Sequence, residues 1–340
     1  MKTDWVAEMF SALRDCGEDI SIVYGEQTSA SGHGEPRWIE LPHDRYDGIS
    51  GLAALLRLQR LRVEHLPELR GDRFGALRGL RGFLSILPAI KVRRQQWASP
   101  FHWTRSVRFL PPGQRVAWRV LTEEQTRAIV AAAKAAGVTV NTYLLFHLDG
   151  AVSAELVAQG ASRRWMIPVN LRGAVTRPAV EPPHMSFLGV DLERKPSLQA
   201  MQALVDRYRQ RGYHWGMWIM LHMGRLLGAE GMRRDIRKRE KQQHGTTGMF
   251  SNLGAWEVEG AADWMFCPAV TRVYPVGAGC LTLNGRMALT VQLHDALGRS
   301  VQTADALLQG WAGSCLVDAG AAPRSTEASR AGERERVVNA

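Results

Sequence analysis

The segment "LPHDRYDG", residues 41–48, follows the apolar stretch "RWIE" and decides how the rest of the chain is interpreted. It places a histidine, three intervening residues, an aspartate and a glycine between a predicted strand over 37–43 and a predicted helix over 51–66. A glycine permits an abrupt turn of the backbone, so we expect His43 at the mouth of a sheet, where functional side chains are commonly presented. An ordinary strand that runs into a turn is the alternative interpretation.

His43 and Asp47 are suited to different tasks. An imidazole, with an ordinary pKa of about 6.5, can take a proton from a hydroxyl or an amine at neutral pH. The carboxylate of Asp47 lies four residues later, past the turn, and is predicted to bond an arginine and fix the loop that aims the imidazole. A pattern of three fixed residues recurs by chance, so its interpretation depends on the remaining sequence.

The composition is that of a globular protein. The chain has 340 residues, of which 45% are apolar and 22% charged, enough for one large domain or two of ordinary size. The sequence contains no GxxxxGK[ST] loop, no GxGxxG turn and no repeat of about 20–50 residues. These absences disfavour the commonest nucleotide-binding and solenoid classes.

Cysteine usage and hydropathy predict a cytoplasmic protein without a transmembrane segment. The four cysteines are scattered without CxxC spacing, which disfavours a zinc knuckle, a redox pair or a disulfide framework. The N-terminal 20 residues carry acids and lack the layout of a secretory signal. The most apolar run, 215–224, is far shorter than the roughly 20 residues that span a bilayer.

The net charge of +10 points to anionic partners. Basic residues collect in 57–94 and in 233–241, "RRDIRKREK". The phosphates of a coenzyme, an acidic carrier protein and an anionic lipid are the partners considered, and a solvated arginine-rich face is the alternative. Nucleic acid is disfavoured because no aromatic stacking platform accompanies the basic runs.

Strand and helix signals predict an α/β fold with mixed sheets in two similar layered halves. The Pro- and Gly-containing stretch 108–120 is interpreted as a crossover, which gives an N-terminal half over 1–112 and a C-terminal half over 113–318. A capping box at Thr122 opens a helix, and Asn284–Gly285 is the two-residue turn of a hairpin. The polar tail 319–340 is expected to be disordered.

Further helices are predicted over 140–160 and over most of 197–243, with a break near Gly228. A strand over 20–26 precedes the motif, and two more are predicted in "RWMIPVNLRG" and "SFLGVDLE".

The segment "LPHDRYDGISG" resembles the HxxxDG motif of the chloramphenicol acetyltransferase-like superfamily, which includes nonribosomal condensation domains, wax ester synthases and alcohol acyltransferases. The stretches "GVTVNTYLLFHLDGAV", "WMIPVNLRG", "FSNLG" and "LNGRMALTVQLHDAL" are similar to that superfamily's second half in order and rough spacing. The resemblance covers residues from about 38 to about 310. It implies two halves around a central tunnel.

The resemblance implies transfer of an acyl group from a thioester to a hydroxyl or amine of a small molecule or lipid. The donor would be acyl-CoA or a phosphopantetheinyl acyl carrier protein, with no bound cofactor and no metal. By this analogy His43 is the general base, Asp47 is structural, and Gly48 lets the loop pass. Arg172 of "PVNLRG" is the expected partner of Asp47, because a guanidinium can pair with a carboxylate through two bonds.

Ser251 and Asn252 of "FSNLG" are candidates for holding the oxyanion of a tetrahedral intermediate. A simple turn at the end of a strand is the alternative for this pair. His147 and His222 lie in apolar predicted helices, where core or tunnel-wall positions are expected, and no histidine pair has the spacing of a metal site.

Two features depart from the superfamily pattern. Pro42 stands where many relatives have a first histidine, and only 42 residues precede the motif, far fewer than in condensation domains. The first half is therefore abbreviated, or the chain has lost its start. We expect a smaller, more open cleft on that side, or a second chain that completes the sheet as a homodimer.

Two alternatives to an enzyme remain open. The shortened first half is compatible with a non-catalytic scaffold or binding partner in a biosynthetic assembly. The stretch "FLSILPAIKVRR", 83–94, and the Trp- and Met-rich predicted helix near 215–223 are compatible with a peripheral lipid-surface protein.

Overall fold

A computed structural model describes residues 5–27, 35–63, 66–69, 73–87, 94–103, 110–175, 184–193, 196–241 and 245–321. The predicted α/β class with mixed sheets is confirmed. The elements are α1 (Trp5–Asp15), β1 (Ser21–Gln27), β2 (Arg37–Pro42), α2 (Gly48–Leu58), α3 (Ala76–Ile86), α4 (Pro112–Arg115), β3 (Val116–Val120), α5 (Glu123–Ala135), α6 (Val140–Glu155), β4 (Arg163–Asn170), β5 (Met185–Leu192), α7 (Leu198–Gln210), α8 (Tyr213–Lys241), β6 (Gly248–Trp256), β7 (Asp263–Cys267), β8 (Val276–Leu283), β9 (Arg286–Leu293) and α9 (Val301–Asp318).

The smaller sheet has three strands in the order β2-β1-β7, all antiparallel. Its third strand, β7, comes from far beyond the predicted division at 112/113 and was not predicted from the sequence. The sheet that carries the motif is therefore not built from the N-terminal half alone. The division of the chain at residue 112 stays a prediction.

The larger sheet has six strands in the order β3-β9-β8-β6-β4-β5. Strand β6 runs parallel to both of its neighbours, and the other pairs are antiparallel. Strands β8 and β9 form the predicted hairpin. Asn284 and Gly285 both have positive φ angles, 48° and 79°, as a tight two-residue turn requires.

Local signals fixed several helix ends. Thr122 caps α5 and forms the predicted capping box with Gln125, and Gly137 follows the helix with φ of 68°. Helix α6 ends at Glu155, five residues before the predicted end. Helix α2 begins at Gly48 and ends at Leu58, so the prediction of a helix over 51–66 was wrong at both ends.

Helix α3 was not predicted, because its sequence was interpreted as a loose basic segment. It packs on α8 through glycines: a Cβ added to Gly82 would lie 2.2 Å from the carbonyl oxygen of Gly212. Helix α8 bends at Gly228, with φ of 65°, at the predicted break. A second break, at Gly212 between α7 and α8, was not predicted.

The main core lies between the larger sheet and helices α5, α6 and α9. A second core joins α2 to strands of both sheets. Among the described residues no single helix is long and apolar enough to cross a membrane; α5 and α6 together reach the length but bend by 100° at their junction. Most of the tail predicted to be disordered, from residue 322 onward, lies outside the described residues.

Candidate active site

The motif lies in a tight turn between β2 and α2. The carbonyl oxygen of Pro42 accepts hydrogen bonds from the amides of Arg45 and Tyr46. Strand β2 ends at Pro42, so His43 is the first residue of the turn and not, as predicted, the last of the strand. Its side chain is therefore placed by the turn.

The His43 ring is held on one face and at one nitrogen. It stacks on Phe10 of α1 with ring centroids 3.9 Å apart, and its exposed fraction is 4%. Its Nδ1 lies 2.9 Å from the carbonyl oxygen of Tyr46. Because a carbonyl can only accept, Nδ1 carries the hydrogen and the lone pair lies on Nε2.

Burial of the ring lowers the pKa of His43 below its ordinary value, against the opposing effects of the Tyr46 carbonyl and the Asp47 charge. The imidazole is therefore neutral at pH 7 and has a basic nitrogen available.

Asp47 uses all of its acceptor capacity in holding the turn. It is the N-cap of α2, where Oδ1 accepts from the amides of Ile49 and Ser50 at 3.1 and 2.9 Å. Its Oδ2 lies 2.7 Å from Nη2 of Arg172 and 3.4 Å from the amide of His184. A carboxylate has about four acceptor positions, so these four donors leave none for a substrate.

Arg172 lies two residues after β4 and has no exposed side-chain surface. Its backbone amide and its Nη1 donate to Oδ1 of Asn170 at 3.1 and 3.2 Å, which orients the guanidinium toward the motif. The contact with Asp47 that the sequence predicted is present. Its importance for the position of His43 stays a prediction.

Gly48 is required by close packing. A Cβ at this position would lie 2.5 Å from Cδ2 of Leu253 on β6 and 2.9 Å from Cε2 of Phe266 on β7. Its φ angle is not positive, so the predicted abrupt turn of the backbone is not what needs glycine here. The glycine lets the start of α2 approach both sheets, in agreement with the narrower expectation that it lets the loop pass.

Two residues at the site were not predicted. Tyr24 of β1 is fully buried and donates from its hydroxyl to the carbonyl oxygen of Gly48 at 2.9 Å. Burial raises the pKa of Tyr24 well above its ordinary value, so it remains a donor. The other is Phe10, the ring under His43. The only sequence signal for either was an aromatic residue in a predicted strand or helix near the motif.

Asn252 is engaged in local structure. Its Nδ2 donates to Oδ1 of Asn141 at 2.6 Å, and its Oδ1 accepts from the amide of Gly254 at 2.8 Å, where β6 is irregular. Asn252 lies within β6 and not at its end, so the turn at a strand end that was the alternative is not present. The oxyanion role of Asn252 stays a prediction. Ser251 is buried on β6, and its oxyanion role stays a prediction.

The other histidines have structural surroundings. Nε2 of His147 lies 3.5 Å from Oδ2 of Asp318, and Nδ1 of His222 lies 2.8 Å from the carbonyl oxygen of Trp218. Within the described ranges, no group of three or more His, Cys, Asp or Glu could hold a metal ion. One cavity, of about 570 Å³, is lined by residues 94–101 and Trp103, none of which is a predicted site residue.

No protein-family model matches the sequence, and no curated protein matches it. Among solved structures, the chain is similar to the cyclization-docking bidomain of the nonribosomal peptide synthetase EpoB from Sorangium cellulosum, with a TM-score of 0.55 and 9% identity. That match covers 84% of this chain and 60% of the bidomain. The first condensation domain of the CDA synthetase is matched with a TM-score of 0.50 and 12% identity, over 83% of this chain and 63% of that one.

The described part of the chain therefore has the condensation-domain fold, the fold of the chloramphenicol acetyltransferase-like superfamily that the motif resembles. The fold expected from the sequence is confirmed. The chain spans about three fifths of the length of these two structures.

Proposed function

We propose that the protein transfers an acyl group from a thioester to a hydroxyl or an amine, with His43 as the general base. The observation that carries the proposal is the state of the His43 ring. Its Nδ1 is occupied by the Tyr46 carbonyl, whereas Nε2 has no hydrogen-bond partner in the part of the chain that the structure describes. A condensation-domain fold supports this class of reaction.

The proposed reaction needs one proton acceptor. Nε2 of His43 takes the proton from the O–H or N–H of the acceptor, and the acceptor atom attacks the carbonyl carbon of the thioester. The tetrahedral intermediate collapses with cleavage of the C–S bond, and the departing thiolate takes the proton from Nε2. The products are an ester or amide and a free thiol, and His43 returns to its neutral form.

The neighbouring residues have supporting roles in this proposal. Asp47 and Arg172 are positioning residues, since their polar atoms bind the turn and each other. Ser251 and Asn252 are the candidate donors to the oxyanion. We place the reaction in the cytoplasm, which the four free cysteines support, with acyl-CoA or a carrier-bound acyl group as donor.

The experiment compares His43→Asn with His222→Asn. Asparagine keeps an N–H near the position of Nδ1, so it preserves the bond to a backbone carbonyl and removes only Nε2. His222 has the same kind of Nδ1 contact away from the motif and is the matched control. Purified protein is incubated with acetyl-, octanoyl- and palmitoyl-CoA and a panel of alcohols and amines, and mass spectrometry detects products while thiol release is followed.

We expect the wild type to catalyse transfer and His43→Asn to lower the rate by about 10²–10⁴-fold. The rate of His222→Asn should stay within about twofold of the wild-type rate. A His43→Asn variant as active as the wild type would overturn the role of His43. Repeating the assay with acyl groups on a phosphopantetheinyl carrier protein then identifies the donor.

The burial of His43, with 4% of its surface exposed, favours a second candidate, a non-catalytic scaffold. For such a protein no thioester donor would give transfer, although circular dichroism would show a folded chain. The wild-type assay therefore distinguishes the two functions.

A further inference from the structure

Exposed apolar side chains are concentrated on one pair of helices. Of the eleven large hydrophobic residues that are exposed in the described part of the chain, eight lie between residues 74 and 87 or between residues 223 and 227. Those eight are Phe74, Leu77, Leu80, Leu84, Leu87, Met223, Leu226 and Leu227. The last seven are here called the leucine ridge.

The orientation of α3 explains this exposure. A surface helix ordinarily turns its leucines toward the core, but α3 turns Gly79, Gly82 and Ile86 toward α8. A Cβ on Gly82 would lie 2.2 Å from the carbonyl oxygen of Gly212, so the glycine side must face inward. The four leucines of α3 and its C-cap, spaced at three or four residues, consequently face outward, with Leu77 86% exposed.

The two helices run antiparallel, which makes the ridge continuous along their length. Gly82 faces Gly212 and Gly216, whereas Gly79 faces Ile219. The N-terminal end of α3 therefore lies at the level of residues near 223, and the exposed residues of α8 follow from there to the bend at Gly228.

The two described segments that carry the ridge contain basic residues and no acidic ones. Residues 73–87 contain three exposed arginines, Arg73, Arg78 and Arg81, and neither aspartate nor glutamate. On α8, the residues from Tyr213 to Ala229 likewise contain no acid. Outward leucines beside arginines are the combination that buries a helix face in the headgroup region of an anionic bilayer.

We propose that the leucine ridge docks the protein on an anionic lipid surface. A second copy of the chain is a poorer occupant, because a two-fold contact through this face would place the same arginines against each other. The proposal concerns a surface formed by α3 and α8 and does not depend on acyl transfer.

The test is co-sedimentation with lipid vesicles. The wild-type chain is mixed with vesicles of phosphatidylcholine alone and with vesicles of equal parts phosphatidylcholine and phosphatidylglycerol. Leu80→Ser/Leu84→Ser removes the centre of the ridge, and Val317→Ser, at a residue of α9 that is 73% exposed, is its matched control. The pair Arg73→Glu/Arg81→Glu is compared with Arg127→Glu/Lys134→Glu on α5.

We expect the wild type to bind the anionic vesicles, and to bind vesicles of phosphatidylcholine alone at least about tenfold more weakly. Leu80→Ser/Leu84→Ser and Arg73→Glu/Arg81→Glu should each weaken binding to the anionic vesicles at least about tenfold, and the two control variants should bind them as the wild type does. The proposal is overturned if the wild type does not sediment with anionic vesicles, or if the leucine variant binds as well as Val317→Ser. Light scattering that shows a dimer, lost in Leu80→Ser/Leu84→Ser without any vesicle binding, would assign the ridge to a second copy instead.

Discussion

Replacement of Asp47 tests whether this carboxylate holds the site or takes part in chemistry. In Asp47→Ala the guanidinium of Arg172, which has no exposed surface, loses its contact with Oδ2 of Asp47. Removing one partner of a buried ion pair costs about 3–5 kcal/mol, and loss of an N-cap costs about 1 kcal/mol more. The free energy of unfolding should therefore fall by about 4–6 kcal/mol. Asp47→Asn keeps one oxygen, which can accept at the cap of α2, but its NH2 then faces two donors, the Arg172 guanidinium and the His184 amide. It should therefore cost about as much as breaking the ion pair alone, about 3–5 kcal/mol.

Guanidinium chloride unfolding, followed by the fluorescence of the 11 tryptophans, measures these differences. Glu123→Gln is the control, since it removes an exposed ion pair with Arg127 on α5 and should cost no more than about 0.5 kcal/mol. In the transfer assay, Asp47→Asn should retain more activity than His43→Asn. Its rate should begin to fall at a lower pH than that of the wild type, because the Asp47 charge raises the pKa of His43.

Two results would refute this reasoning. A loss below about 1 kcal/mol in Asp47→Ala would mean that the contact with Arg172 contributes little to folding. Full stability of Asp47→Asn together with complete loss of transfer would mean that the carboxylate acts on the substrate.

Further predictions concern pH, packing, a buried ion pair and assembly. Burial lowers the pKa of His43, so kcat/KM should stay constant around pH 7 and fall only below pH of about 6.5; a midpoint above that value in a pH profile would contradict the base assignment. Gly48→Ala should destabilise the fold by about 1–3 kcal/mol, whereas Gly313→Ala, where a Cβ would meet nothing within 4 Å, should be neutral or slightly stabilising in the same unfolding experiment. Burial alone would raise the pKa of Glu18, but a hydrogen bond from His294 at 3.1 Å and the charge of a nearby arginine lower it. The ionised Glu18 carboxylate therefore stabilises the fold above pH of about 4.3, and this stabilisation is lost as the pH falls further. The melting temperature of Glu18→Gln should be lower than that of the wild type at pH 7 and should fall less on acidification. If a second chain completes the smaller sheet, light scattering should give the mass of a dimer. A strict monomer in which the edge of that sheet is fully covered would contradict both the dimer and an open cleft.

The sequence predicted those parts of the molecule that local signals determine. The capping box at Thr122, the Asn284–Gly285 turn and the bend at Gly228 each depend on a few neighbouring residues. The pairing of Asp47 with Arg172 was predicted from the position of Arg172 after a predicted strand and from the chemistry of a guanidinium.

The elements that were missed depend on distant partners. Strand β7, "DWMFC", has no alternating pattern, and it is a strand because its backbone pairs with β1 more than 230 residues earlier. Strand β3, "VAWRV", follows two prolines and was interpreted as a crossover. Helix α3 has glycines in its interior, which lower helix propensity by about 1 kcal/mol each, yet Gly82 is what allows close packing on α8.

The motif residues differ in how far contacts within the protein occupy them. The acceptor positions of Asp47 are filled by the cap of α2, Arg172 and the amide of His184, and Gly48 is fixed by its contact with Leu253. The cap is local, whereas Arg172, His184 and Leu253 lie far later in the sequence, so the turn is held both by its own helix and by distant strands and loops. His43 is the motif residue whose nitrogen, Nε2, keeps a free lone pair among the described contacts. In the proposed transfer His43 is therefore the motif residue that takes the proton, and changes at Asp47 and Gly48 should act by moving its ring.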